Sequence, residues 1–441
     1  MTLLRNQRPD VVMIAVDDLN HWIGTLRRNP AAKTPHIDRL ASRGLAFTSA
    51  HCPAPVCNAS RAALLSGRRP HETGVYDNGI DWERRIPTGT TLPAHFLRHG
   101  YDVRGAGKIF HTNTWKPAEW SDYQRNYPKG EPVDASESGT IGKLPYAKLR
   151  SGDDSLMDWR TATYAVEQLA RTRREPLFLA CGIYRPHLPW NVPGKYFDLH
   201  PLESIPLPPV KKRDLADVPD AGRRMALGNG DHAAILEAGG ETAWRRAMQA
   251  YLASISYADA QIGRILDAVE RSPRRDNTIV VLWGDHGWHL GEKEHWRKFT
   301  LWEEGTRTPY IWSVPGVTKS GSRCNTPVDL MTLFPTLCDL CGLRTPSWIP
   351  DPSLRTLLAR PDARWHRPAL TTFNKGNHSL RTERWRYIRY ADGSEELYDH
   401  RVDPYEWVNL AGNPRMGPVK TELSRWLPRR EAPQPVRDLE L

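Results

Sequence analysis

Four predicted strands that each stop at ionisable residues constrain this chain most. Val11–Val16 ends at Asp17-Asp18, Tyr101–Lys108 runs on to His111, Pro176–Cys181 delivers GIYRPHLPW, and Thr278–Trp283 ends at Gly284-Asp285-His286. Three of the four are short, nearly continuous apolar runs, the pattern of strands buried on both faces of a parallel sheet. Helical patterns fall between them, over Thr34–Arg43, Asn58–Ser66, Thr91–His99, Trp159–Arg173 and the long Thr242–Arg271. Pro309–Val314 reads as a further strand and Leu330–Cys341 as a helix. The alternation predicts an α/β sandwich with a large, mostly parallel sheet flanked by helices. In such sheets ligands bind beyond the carboxyl ends of the strands, where these ionisable residues lie.

Periodicity is lost over 112–158 and 201–240, which read as irregular insertions that shape a pocket. From about Thr345 the character changes. Trp385–Tyr390, then Asp392-Gly393, then Glu396–Tyr398 predicts a hairpin in a small antiparallel α+β domain. The expected division is 1–344 and 345–441.

Composition narrows the function. With 39% apolar residues in 441 the chain can bury a large core. No apolar run approaches the roughly 20 residues needed to span a bilayer, so no membrane partner is expected. The formal net charge of +10 suits an anionic substrate, yet no basic cluster of a nucleic-acid arm is present. Six scattered cysteines form no disulfide framework. Cys338 and Cys341 fall in an amphipathic helical pattern with no second ligand pair, which favours core packing over zinc. With no hydrophobic leader at its start, the expected location is cytoplasmic, or periplasmic or secreted if a signal has been trimmed.

The stretch Pro55–Gly67, PVCNASRAALLSG, carries the sharpest chemistry. If Asn58–Ser66 is a helix, Cys57 sits at its start, where unpaired N–H groups and the helix dipole favour an anion. Arg61 lies one turn in on the same face, placed to hold a nucleophile and a charged oxygen. Taken alone, Cys57 reads as a buried structural thiol at the start of a core helix, and only the rest of the chain reverses that reading.

That stretch resembles the signature of the formylglycine-dependent sulfatases, of alkaline phosphatase-like fold. VDDLN, CNASRAALLSGRRP, GKIFH, PHLPW, GDHGWHLGEKEHWRK and ELYDHRVDPYEWVNLAG extend the likeness over nearly the full length, nearest to iduronate-2-sulfatase and its bacterial relatives. The resemblance implies that Cys57 is oxidised to formylglycine by a formylglycine-generating enzyme. It also implies that Asp17, Asp18, Asp285, His286 and modified Cys57 bind one divalent cation, Ca2+ by family habit, with Mg2+ or Mn2+ compatible with a nitrogen ligand. Arg61 would stabilise the ionised hydrate, and Lys108 and Lys298 would clamp the sulfate oxygens. His187 would protonate the leaving alcohol, and His111 would deprotonate the sulfated hydrate. Trp82 and Trp288 read as lining the pocket mouth or, as readily, as ordinary core tryptophans, and Arg68, Arg69, Tyr184 and Arg185 are candidates for reading a substrate carboxylate. The implied activity is hydrolysis of a small sulfate ester such as a sulfated sugar. The alternatives are a phosphonate or phosphate ester hydrolase of the same fold and a non-catalytic sugar-binding protein.

Overall fold

A computed structural model of the protein describes residues 8–111, 115–125 and 134–438. Its centre is a nine-stranded sheet. The principal strands are β1 (Asp10–Val16), β2 (Leu45–His51), β3 (Asp102–Gly107), β4 (Leu177–Ile183), β5 (Thr278–Gly284) and β6 (Arg307–Ser313). Their spatial order is β2-β6-β5-β1-β4-β3, with Ser322–Cys324 outside β2 and Asp122–Gln124 outside β3. β1 pairs in parallel with β4 and β5, and β4 with β3. Only β6 runs antiparallel to its neighbours, so the sheet is mostly parallel, as expected.

β1 shows why its sequence lacks alternation. Val12, Ile14 and Val16 enter one apolar cluster with the helices Pro35–Arg43 (α1), Met157–Ala170 (α3) and Gly240–Arg271 (α4). Val11, Met13 and Ala15 enter another with Cys57–Ser66 (α2) and Leu333–Leu340 (α5). Both faces are covered by helices, so every β1 residue is buried. Among the described residues no helix is long and apolar enough to cross a membrane.

Several expectations change. β2 was not assigned from the sequence, yet it carries the chain into the loop before Cys57. Of the insertion 112–158, residues 112–114 and 126–133 lie outside the described residues. The described part is not all loop: Ala135–Ile141 and Leu144–Leu149 form a hairpin extended in parallel by Trp190–Pro193. The first of these strands is mostly exposed and polar, and so lacked the apolar pattern of a buried strand. Two short helices, Asp220–Leu227 and Asp231–Glu237, occupy the other insertion. The helix expected over Leu330–Cys341 begins with a 3-10 turn, Leu330–Thr332, before α5. All six cysteines are buried and unbridged.

The predicted hairpin is present as β9 (Trp385–Arg389) and β10 (Glu395–Asp399). With β7 (Ala369–Thr372) and β8 (His378–Arg381) it makes a four-stranded antiparallel sheet. Thr371 Oγ1 donates to Cys52 O at 2.6 Å and Thr372 N to Pro53 O at 2.9 Å, tying this sheet to the loop before Cys57. A buried network adds to the seam. Arg386 Nε meets Glu406 Oε1 at 2.9 Å, Arg381 Nε meets Glu303 Oε2 at 3.2 Å, and Glu303 N donates to Glu406 Oε2 at 2.9 Å.

The C-terminal tail returns to the body of the main sheet as a strap. Ala432 N donates to His71 O at 2.7 Å, Tyr76 Oη to Ala432 O at 2.9 Å, and Asp438 N to Gly79 O at 2.8 Å. Deleting residues 431–441 therefore removes the outer cover of the segment Tyr76–Asp81. Hydrogen–deuterium exchange of these amides is expected to accelerate by at least tenfold, with β1 and β5 unaffected. Unchanged exchange in 76–81 would show that the strap does not hold it.

Candidate active site

The strand ends converge because their backbones are stitched together. Asp17 N donates to Ile183 O at 3.0 Å, Asp285 N to Val16 O at 3.4 Å, and Lys108 N to Gly182 O at 3.0 Å. Closing β3 on β4 requires glycine: Gly107 has φ +76°, and a Cβ there would lie 2.1 Å from Gly182 O. Asp18 also occupies the left-handed region, φ 57°, a conformation that costs a non-glycine residue roughly 1–2 kcal/mol. Its N–H donates to Asp285 Oδ1 at 3.0 Å and its carbonyl accepts from Tyr251 Oη at 2.8 Å, which holds the strained residue in place.

Cys57 is the first residue of α2, one earlier than expected, and no side chain on the helix caps it. Asn78 supplies the cap from the strapped segment: its Oδ1 accepts from Asn58 N at 3.1 Å. Asn58 Nδ2 returns bonds to Asp77 O and Ile80 O at 2.9 and 2.7 Å. The Cys57 sulfur lies 3.2 Å from His286 Nε2, 3.1 Å from Lys298 Nζ and 3.8 Å from Asp18 Oδ1. Arg61, fully buried, donates from Nε to Asp285 Oδ2 at 2.8 Å, from Nη2 to Asp17 Oδ1 at 3.2 Å, and from Nη1 to the carbonyls of Lys108 and Ile109. Lys108 pairs with Asp17, and Lys298 Nζ with Asp18 Oδ1 at 2.6 Å.

The histidine tautomers follow from their neighbours. His286 Nδ1 lies 2.9 Å from Gly287 O, so it carries the proton and leaves Nε2 as a lone-pair donor toward Cys57. His187 Nδ1 likewise donates to Leu188 O at 2.6 Å, and its Nε2 lies 3.9 Å from Asp18 Oδ2. Its side chain is 25% exposed, more open than Lys108 or Lys298. His111 is partly exposed just past β3. Burial, reinforced by the charge of Lys108, holds it well below the usual histidine range.

Electrostatically the site is balanced. Three carboxylates, Asp17, Asp18 and Asp285, face three cations, Arg61, Lys108 and Lys298. Against the cost of burial, Lys108 and then His187 and Arg61 hold Asp17 well below the carboxylate range, and Lys298 and His187 lower Asp18. Burial prevails at Asp285 and raises it despite Arg61. Lys298 is raised because Asp18 outweighs its own desolvation. The Cys57 thiol is pushed up to about 12 by burial, which Lys298 and Lys108 only partly offset. Unmodified Cys57 is therefore a neutral thiol at pH 7, not a thiolate nucleophile.

The donor set fits a divalent cation. Asp17, Asp18, Cys57 and His286 each offer a ligand atom within 4.8 Å of the others. Asp285 Oδ1 lies 3.6 Å from His286 Nε2. Asp18 Oδ2, buried, has no hydrogen-bond partner among the described residues. Orphaned carboxylate oxygen of this kind is costly without a ligand.

Other expected residues lie elsewhere. Trp82 and Trp288 are 2% and 1% exposed, packed beneath the surface and not at a mouth. Trp82 stacks on Phe110 at 4.0 Å, and Trp288 stacks on Tyr251 and lies 5.4 Å from Lys298 Nζ. Their large apolar rings are better spent supporting the lysine and the loop than facing water. Arg69 binds Asp329 and Asp351 at 2.9 and 2.7 Å, and Arg68 lies over Trp348, so neither is turned toward Cys57. Tyr184 does border the site, 4.7 Å from the His187 ring and 5.4 Å from Lys108 Nζ, and buried Arg185 lies over its ring at 5.2 Å. Sequence reading missed Tyr251 and Asn78, whose polar side-chain atoms bind backbone groups of the site.

Known proteins share this architecture. The family described as Sulfatase matches residues 9–343, and the family described as N-sulphoglucosamine sulphohydrolase, C-terminal, matches 291–432. A sulfatase of Formosa agariphila is 36% identical, over 96% of this chain and 87% of its own. Human iduronate 2-sulfatase is 30% identical, over 92% and 76%. A structure solved with its substrate D-glucosamine-2-N,6-O-disulfate aligns with TM-score 0.77 at 20% identity, over 95% and 96%. The phosphonate monoester hydrolase of Agrobacterium radiobacter aligns with TM-score 0.77 at 20% identity, over 95% and 94%. At such identity the structural likeness speaks for the fold alone, whereas the sequence matches go further: this chain belongs to the sulfatase family of sulfuric ester hydrolases.

Proposed function

We propose that this sulfatase hydrolyses a sulfated sugar or related small sulfate ester, using one divalent cation and a formylglycine made from Cys57 by a formylglycine-generating enzyme. The observation that carries the reading is the setting of Cys57, buried at a helix N-terminus between Lys298 at 3.1 Å and His286 at 3.2 Å. As formylglycine, residue 57 would supply a hydrated aldehyde whose one hydroxyl attacks sulfur and whose other lets sulfate leave by elimination. A cation held by Asp17, Asp18, Asp285, His286 and residue 57 would supply Lewis acidity at that hydroxyl. The oxygen-rich ligands suit Ca2+ or Mg2+, and the His286 nitrogen also admits Mn2+.

The chain's own residues divide the remaining work. Lys108 and Lys298 meet the charged sulfate oxygens in a buried setting, where each interaction is stronger than in water. Arg61 is fixed by Asp17 and Asp285 one helical turn from residue 57 and offsets the charge of both carboxylates. His187 would pass a proton to the leaving oxygen. Burial lowers its proton affinity and Asp18 raises it, and the negative charge of a bound sulfate ester would favour the protonated form further. His111 would accept the proton of the sulfated hydrate. The sulfatases matched at 36% and 30% identity favour sulfate over phosphonate.

Maturation gives the first test. Cys57→Ala is expected to abolish turnover of 4-nitrophenyl sulfate with the melting temperature within about 2 °C of the parent protein. Full-rate turnover by this variant, or by protein whose Cys57 peptide carries an intact thiol, contradicts the nucleophile assignment. The ester itself is tested by comparing kcat/KM for 4-nitrophenyl sulfate and a 4-nitrophenyl phosphonate, with sulfate expected to prevail by at least tenfold.

Leaving-group chemistry gives the next test. A sugar alkoxide needs a proton as its S–O bond breaks, and a nitrophenolate scarcely does. General acid catalysis is worth about 10²–10⁴-fold. His187→Ala is thus expected to lose that factor on a sugar sulfate and largely spare 4-nitrophenyl sulfate, whereas Lys298→Ala lowers kcat/KM on both alike. Equal losses on both esters for His187→Ala would remove it from the acid role.

A further inference from the structure

A large cleft lies away from the catalytic site. It encloses about 1010 Å³ between the β2 edge of the main sheet and the four-stranded sheet. A second cleft of about 340 Å³ continues it, sharing Trp365, His366 and Glu383 among its walls. None of the catalytic or metal-site residues named above lines either one. A volume at the top of the roughly 300–1,000 Å³ range of small-molecule pockets, open and then extended by a neighbour, suits a chain more than a metabolite.

Eight cationic side chains and four carboxylates line the two clefts. Lys319, Arg323, Arg364 and Arg401 have no carboxylate within ion-pair distance among the described residues, so their charge is available to a ligand. Two tryptophans stand among them. Trp365 is half-buried, and Trp426, at 44% exposed, is one of the few large apolar side chains left open to solvent. Indole faces take the C–H faces of sugar rings, and guanidinium forks match the paired oxygens of sulfate or carboxylate. The interspersed carboxylates discriminate between polyanions. They accept hydrogen bonds from sugar hydroxyls, groups that a DNA strand, whose deoxyriboses are linked through both of their hydroxyls, does not offer.

We propose that this double cleft is a second binding site, for the anionic chain of a sulfated polysaccharide. The choice of a sulfated glycan rests on the function proposed above. A chain held here would raise the local concentration of its ester groups at the catalytic site without changing the chemistry there. Short esters, which cannot occupy both places, gain nothing from it.

Dextran sulfate is the probe, titrated calorimetrically into the full chain at low salt and at 0.5 M salt, beside neutral dextran and a single-stranded oligonucleotide. The expected result is binding of dextran sulfate that weakens with salt, no binding of neutral dextran, and weaker binding of the oligonucleotide. The double variant Arg364→Ser/Arg401→Ser is expected to lose at least tenfold in affinity and Trp426→Ala at least threefold, both keeping the parent kcat/KM on 4-nitrophenyl sulfate. Unchanged dextran sulfate affinity in both variants overturns the proposal. So does an oligonucleotide that binds as tightly with the same dependence on Trp426, which would mark a general polyanion surface. Because binding is read without turnover, failure of the parent protein to hydrolyse any sulfate ester would overturn the proposed function and leave this comparison decisive for the cleft.

Discussion

Everything around Cys57 depends on one interaction, the mutual neutralisation of Asp17, Asp18 and Asp285 by Arg61, Lys108 and Lys298. Three buried carboxylates packed without partners would repel one another, and a metal would be the obvious cure. The structure supplies three cations from the chain itself, so the site is close to neutral before any ligand arrives. That balance has a consequence for binding. A divalent cation alone leaves an uncompensated double positive charge in a buried place, and a dianion alone leaves the opposite. Together they restore neutrality, at far lower electrostatic cost.

The sheet is what makes the balance possible. The six charged groups come from the turn after β1, the start of the loop after β3, the turn after β5, α2 and the segment following His289–Leu290, spread from Asp17 to Lys298. Parallel strands bring these ends to one edge, and the Gly107–Gly182 contact lets β3 close against β4 without a side chain between them. Asp18 is forced into a left-handed conformation and held there by Tyr251, so a helix more than two hundred residues away fixes a metal-ligand candidate through its backbone.

Much of this was legible in the sequence. The apolar runs of β1, β4 and β5 announced buried strands, and the residues just after them are those the structure gathers. Arg61, one turn from Cys57, is buried with its guanidinium on the carboxylates at the strand ends. What escaped has physical causes. Ala135–Ile141 is a strand made mostly of exposed polar residues, with none of the apolar pattern that marks a buried one. For Trp82 and Trp288 motif position alone does not choose between pocket mouth and core, and the structure buries both, Trp288 beneath Lys298. Asn78 and the tail around Asp438 act through long-range backbone hydrogen bonds, which leave no periodicity. The small C-terminal sheet was visible as a hairpin, but not the network by which Arg386 and Glu406 bind it to Glu303.

The charge balance can be tested without turnover. Inorganic sulfate carries the product's charge, and its affinity can be measured calorimetrically on thoroughly chelated protein and again with saturating divalent ion. Because coupling between two ligands is reciprocal, the account predicts that the ion tightens sulfate binding by at least tenfold and that sulfate tightens ion binding by the same factor. Equal sulfate affinity with and without the ion would contradict it.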